Sequence, residues 1–253
     1  MASPSRRQLS TRCERPWKAP AMASIPRLPS MGEGVVGATM ANEVAAVRAA
    51  MAPALEAGKD VVLVGYSYGS MVVTPAALGH GKTEREAQGL RGGVKAVVYL
   101  AAFAGWERGR YPMDVVWGSG SGIPAMMKPL EVDGKATDNI PIPKARTEQE
   151  KQIAQFMFFN TCTPEQTERC LELLESMSLG AALEPTEVVP ADLKTSLTYI
   201  LGERDNAMPV AVAEKFVAGT RGMKEVRMDT GHVPFVSHVD ELVKVLEAIA
   251  QEE

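Results

Sequence analysis

Val61-Val62-Leu63-Val64-Gly65-Tyr66-Ser67-Tyr68-Gly69 is a short β-branched run that stops abruptly at two glycines flanking a serine. Val-rich runs favour strands, and Ser70 to Leu78 reads as a helix. The chain therefore passes from strand to helix within two residues. Such a turn forces Ser67 into a strained backbone conformation and brings strand and helix so close that only small residues fit, the places taken by Gly65 and Gly69. It lifts the serine hydroxyl above the carboxyl end of a sheet, at a helix N-terminus, where N–H groups and the helix dipole favour a developing oxyanion. The Tyr68 N–H is the expected donor. The plain alternative is an ordinary strand-to-helix turn with a capping serine.

Outward from that turn, strands and helices alternate. Towards the N-terminus, Asn42 to Ala57 reads as a helix with Val44, Val47, Met51 and Leu55 on one face and Gly58 as its stop. Ser24 to Pro29 is expected to form a short strand. Residues 1–30, rich in Arg, Ser and Pro, are read as an irregular or disordered segment, with a transit peptide as the alternative. Towards the C-terminus, Gly79 to Gly93 is polar and looped, and Val94 to Ala101 is a second strand. Ser196 to Leu201 and Met223 to Met228 are two more, and the last helix runs from about Ser237 to Ala250. This alternation predicts an α/β fold, a mostly parallel sheet with helices on both faces, in a single domain over residues 31–253.

Between about 103 and 193 the pattern changes to an insertion. Thr147 with Glu150 and Thr163-Pro164 with Gln166 are capping boxes that open two helices. Ile153, Phe156 and Met157 are expected on one face of the first, and Leu171, Leu174 and Met177 on the second. Helices over the active end of a sheet form a cap that buries an apolar substrate and excludes water. Gly118-Ser119-Gly120-Ser121-Gly122 lacks the spacing and the following helix of a dinucleotide fingerprint, so a nucleotide is rejected.

The 253 residues carry a formal net charge of −4 and no sustained basic stripe, which argues against nucleic acid and anionic membranes and leaves a small-molecule substrate as the expected partner. Cys13, Cys162 and Cys170 are odd in number and lack metal-ligand spacing, so neither a disulfide framework nor a metal site is expected. No apolar stretch suits a membrane span or signal peptide, and a cytoplasmic location is the default. A homodimer is compatible with this composition.

A serine nucleophile needs a base for its proton and a carboxylate to hold that base in the right tautomer. His232 follows the last strand and Asp205 the one before it, both at the sheet's carboxyl edge, and the order Ser67, Asp205, His232 suits this architecture. His80 and His238 compete for the base, and Glu203 and Asp229 for the acid.

Taken together, Leu28-Pro29-Ser30, Gly58 to Gly69, Tyr99-Leu100-Ala101-Ala102-Phe103, Asp205 to Pro209 and Gly231-His232-Val233-Pro234-Phe235 resemble α/β-hydrolase-fold serine hydrolases, in the small esterase and hydroxynitrile-lyase-like branch. The resemblance spans roughly Ile25 to Leu246. It implies a Ser67, Asp205, His232 triad without cofactor or metal, acting on small esters, lactones or activated carbonyls, in a branch often found in secondary metabolism. Carbon–carbon bond hydrolysis or lyase chemistry on the same triad, and ligand binding without catalysis, are the alternatives. Tyr66 and Ser70 depart from the common His and Gly. Family members also begin with an apolar strand ending in Pro-Gly or His-Gly, which supplies a second oxyanion donor, and no such stretch is present. The elbow strand is therefore expected to show one unpaired edge, or residues 1–30 to fill it, as in a truncated or alternatively started form.

Overall fold

The structure, a computed structural model, describes residues 23–32, 35, 37–105, 107–110, 131–132, 135–136, 139–140, 147–178 and 180–252. Helix α1 (Met40–Glu56) opens on Thr39, whose hydroxyl accepts the Asn42 N–H while Asn42 reaches back to the Thr39 N–H. It ends at Gly58, where φ is +71°. The turn at Ser67 then joins β1 (Val61–Tyr66) to α2 (Gly69–Ala77). After α3 (Lys82–Glu86) comes β2 (Val94–Leu100). Short strands β3 (Glu131–Val132), β4 (Lys135–Ala136), β5 (Asn139–Ile140) and β6 (Met177–Ser178) pair antiparallel as β3 with β4 and β5 with β6. Helices α4 (Glu148–Phe158) and α5 (Pro164–Leu173) lie in the same part of the chain, each opened by the capping box expected of it. The chain closes with β7 (Ser196–Gly202), α6 (Val210–Gly219), β8 (Lys224–Met228), α7 (Pro234–Ser237) and α8 (Val239–Gln251).

Strands β1, β2, β7 and β8 form one parallel sheet in the order β1-β2-β7-β8. Val97 and Tyr99 of β2 face α1, α2 and α6, where Met51, Val72 and Phe216 are buried with them. Ala96, Val98 and Leu100 face α8, packing with Leu242 and Ile249. A strand covered on both faces is apolar throughout, which is why β2 reads as a continuous run without alternation. Tyr99 and Tyr199, both fully buried in the sheet, each find a polar partner. Tyr99 meets the Thr74 hydroxyl at 2.9 Å, and Tyr199 donates to the Ala102 carbonyl at 2.7 Å.

Several local expectations need correction. Residues 24–29 form no strand; just beyond them Met31 touches β6 through a bridge to Met177. The loop over 79–93 contains α3, opened where Glu84 takes the Gly81 N–H. The second cap helix stops at Leu173, so Met177 lies on β6. Phe156 points to solvent at 64% exposure, and the buried residue of α4 is Ala154. The buried stripe of α1 runs Glu43, Val47, Met51, Leu55, with a carboxylate where an apolar residue was expected.

Among the described residues β1 has only β2 beside it, and Val64 at its centre is 41% exposed. Residues 23–30 do not occupy that edge.

Candidate active site

The elbow is built by close approach. Ser67 has φ +47°, a left-handed value that costs a non-glycine residue about 1–3 kcal/mol and persists only where the surroundings impose it. A Cβ on Gly65 would lie 2.5 Å from Val73 Cγ2 and 2.6 Å from Ser70 Cα, so α2 packs directly on the strand there. Gly69 is different, because a Cβ on it would meet nothing within 4 Å. Among the described residues, packing demands the first glycine and not the second.

Ser70 is fully buried and ties the turn together. Its hydroxyl donates to the Ser67 carbonyl and accepts the Phe103 N–H at 2.9 Å, joining the elbow to the segment after β2. Nothing in the sequence marks this role, since the partner lies on another strand's exit.

The loops after β7 and β8 are knitted by backbone. Glu203 and Arg204 donate to the carbonyls of Met228 and Thr230 at 2.8 and 3.1 Å. Gly202 permits this, because a Cβ there would lie 2.5 Å from the Thr230 carbonyl oxygen. Asp205 then turns inward. Its Oδ1 accepts the N–H groups of Ala207 and Met208, both at 2.8 Å, and its Oδ2 takes His232 Nδ1 at 2.8 Å. His232 Nε2 lies 3.2 Å from Ser67 Oγ. The side chains of His232 and Asp205 are 3% and 0% exposed, so water does not compete for their hydrogen bond.

Thus Ser67, His232 and Asp205 lie in one line of hydrogen bonds. The competing residues lie elsewhere: Asp229 pairs with Arg204 at 2.7 Å, and Glu203 lies 4.0 Å from Arg227. His238 Nδ1 bonds Ser237 Oγ at 2.8 Å, and His80 follows α2 on a loop. The Tyr68 N–H makes no hydrogen bond among the described residues and stands at the N-terminal end of α2.

Two aromatic rings flank the imidazole. Tyr66 lies 5.1 Å from it and Phe158, from the end of α4, lies 5.5 Å away, both centroid to centroid. Burial pushes the Tyr66 phenol well above its ordinary pKa, with the Asp205 charge adding to the effect. Next to Phe158, Phe159 is buried at 3% exposure, whereas Phe156 is exposed. Cys162 and Cys170 are free thiols, and burial pushes Cys162 up to about 11, away from reactivity.

Behind Tyr68 lies a second polar group that the sequence did not reveal. Glu43 is fully buried, and its Oε1 accepts the Ser30 N–H at 2.6 Å. Glu43 Oε2, Ser30 Oγ and the Tyr68 hydroxyl have no hydrogen-bond partner among the described residues. Burial raises the Glu43 pKa, an effect the nearby polar groups of Ser30 moderate.

A profile of the alpha/beta hydrolase family matches residues 16–245, most of the chain. The protein belongs to the alpha/beta hydrolase family. The alpha/beta hydrolase nvfD of Aspergillus novofumigatus is 26% identical over 227 residues, covering 89% of this chain and 84% of the relative. Solved structures repeat the fold. A pyrethroid hydrolase from Sphingobium faniae JZ-2 matches with a TM-score of 0.63 at 16% identity, over 84% of this chain and 78% of its own. Polyneuridine aldehyde esterase matches with a TM-score of 0.62 at 20% identity, over 84% and 80%. A methylesterase from Arabidopsis gives 0.58 at 17%, over 84% and 78%. Among the described residues of this hydrolase, no helix is long and apolar enough to cross a membrane.

Proposed function

We propose that this hydrolase cleaves a small carboxylic ester, lactone or related activated carbonyl through a covalent acyl-serine. The observation that carries the reading is the continuous line Ser67 Oγ, His232 Nε2, His232 Nδ1, Asp205 Oδ2, with steps of 3.2 and 2.8 Å. Ser67 Oγ attacks the carbonyl carbon while its proton passes to His232 Nε2. The carbonyl π electrons move to oxygen, and the Tyr68 N–H at the head of α2 receives that charge. The intermediate collapses, the leaving alkoxide takes the proton from His232, and a water activated by the same histidine releases the acid. Asp205 holds Nδ1 protonated so that Nε2 is the base. The names of the matched pyrethroid hydrolase and esterases favour an ester over other carbonyls.

The test is labelling of the purified protein with a fluorophosphonate, which phosphonylates only an activated serine. Wild type should label and Ser67→Ala should not. Labelling that survives Ser67→Ala would refute the assignment. An unlabelled but folded wild type that binds apolar ligands would support binding without catalysis, the reading favoured by β1 having only β2 beside it among the described residues.

A further inference from the structure

The turn between α4 and α5 bonds to both loops that carry Asp205 and His232. Asn160 Nδ2 donates to the Arg204 carbonyl at 2.7 Å, and Asn206 Nδ2 donates back to the Phe156 carbonyl at 2.8 Å. On the other loop, Thr161 Oγ1 accepts the Gly231 N–H at 3.0 Å and lies 3.2 Å from Ser237 Oγ. Gln166 Nε2 reaches the Val236 carbonyl at 2.9 Å. The approach leaves no slack, because a Cβ on Gly231 would lie 2.3 Å from Asn160 Oδ1 and 2.9 Å from Thr161 Oγ1.

Gly231 is the residue immediately before His232. Its N–H is held by a cap side chain and not by the sheet, so the backbone that aims the imidazole depends on the cap being docked. We infer that Asn160 and Thr161 are positioning residues: the cap turn sets the His232–Ser67 geometry, and the nucleophile is fully activated only with the cap seated. The chemistry needs this. A base 1 Å out of place loses much of its rate advantage, and the 3.2 Å step from His232 to Ser67 is the longer of the two in the line. A substrate that packs under the cap would thereby favour the assembled site, since it binds the docked state better than the open one.

The inference rests on the serine-nucleophile reading, so wild type is measured first. Its labelling by fluorophosphonate at Ser67 establishes that reading, and failure to label defeats both together. Thr161→Val keeps the shape and removes the hydroxyl that takes the Gly231 N–H. It should lower both kcat for p-nitrophenyl acetate and the fluorophosphonate labelling rate about tenfold or more, the scale expected from one unpaired buried N–H. KM should stay within about twofold, and Thr161→Ser should recover most of the rate. A merely structural role would lower the melting temperature without this kcat and KM division or the rescue by serine. If Thr161→Val does not fold, Asn160→Asp, which removes the donor to Arg204, takes its place with the same expected loss. Wild-type rates in a folded variant overturn the inference. So does a raised KM with kcat and labelling unchanged, which would make the turn a substrate contact.

Discussion

Replacing Asp205 by Asn separates the geometry of the site from its chemistry. The carboxylate has unequal surroundings: Oδ1 accepts two backbone N–H groups at 2.8 Å, from Ala207 and Met208, while Oδ2 faces His232 Nδ1. An asparagine keeps its carbonyl oxygen on the two N–H groups. Flipping it would leave both donors buried and unpaired, at about 1–3 kcal/mol each. The amide NH2 is therefore turned towards the imidazole. It donates to Nδ1, which forces the proton onto Nε2, and Nε2 can no longer accept the Ser67 proton. In Ser-His-Asp sites this change lowers kcat by about 10⁴, or roughly 5.4 kcal/mol at 1.36 per tenfold. Stability should change by less than about 1 kcal/mol, because the loop's two hydrogen bonds survive. Steady-state hydrolysis of p-nitrophenyl acetate, with thermal melting by circular dichroism, tests both halves. Activity within tenfold of wild type in Asp205→Asn would refute the tautomer argument.

Three further outcomes follow from the packing. Gly65→Ala drives a methyl into Val73 and the Ser70 backbone and should cost about 1–3 kcal/mol in denaturant melts, whereas Gly69→Ala meets open space and should leave stability unchanged or slightly higher. Ser70→Ala leaves the buried Phe103 N–H without its 2.9 Å acceptor and should destabilise by about 1–3 kcal/mol in the same assay. Glu43 has a pKa raised by burial, so the folded state holds its proton more tightly than the unfolded chain. Its contribution is fully present below the ordinary glutamate value and is lost as pH rises through the folded pKa. Glu43→Gln should therefore raise the melting temperature near pH 8, by about 2–4 °C if the gain is ~1 kcal/mol, with a smaller difference at pH 4. An equal shift at both pH values would contradict a buried carboxylate as the cause.

What could be read from the chain alone was chemistry carried by neighbours in sequence. The Val61–Gly69 run, the capping boxes at Thr147 and Thr163, the apolar β2 and the stop at Gly58 each depend on a few adjacent residues, and the structure forms each of them. The order Ser67, Asp205, His232 belongs to the same level, since each residue ends or follows a strand and a parallel sheet gathers those ends on one edge. The packing around these elements was not legible. The helix face was read through Val44, yet the buried position is Glu43, held by the Ser30 N–H from an earlier loop. Phe156 looked like core and is exposed, because the helix turns Ala154 inward. The ties from Ser70 to Phe103, Asn160 to Arg204 and Thr161 to Gly231 carry no local signal because these partners lie 33, 44 and 70 residues away. Local propensity acts over a turn of chain, whereas the setting of a base against its serine is fixed by contacts between distant segments, and only the tertiary structure decides which segments those are.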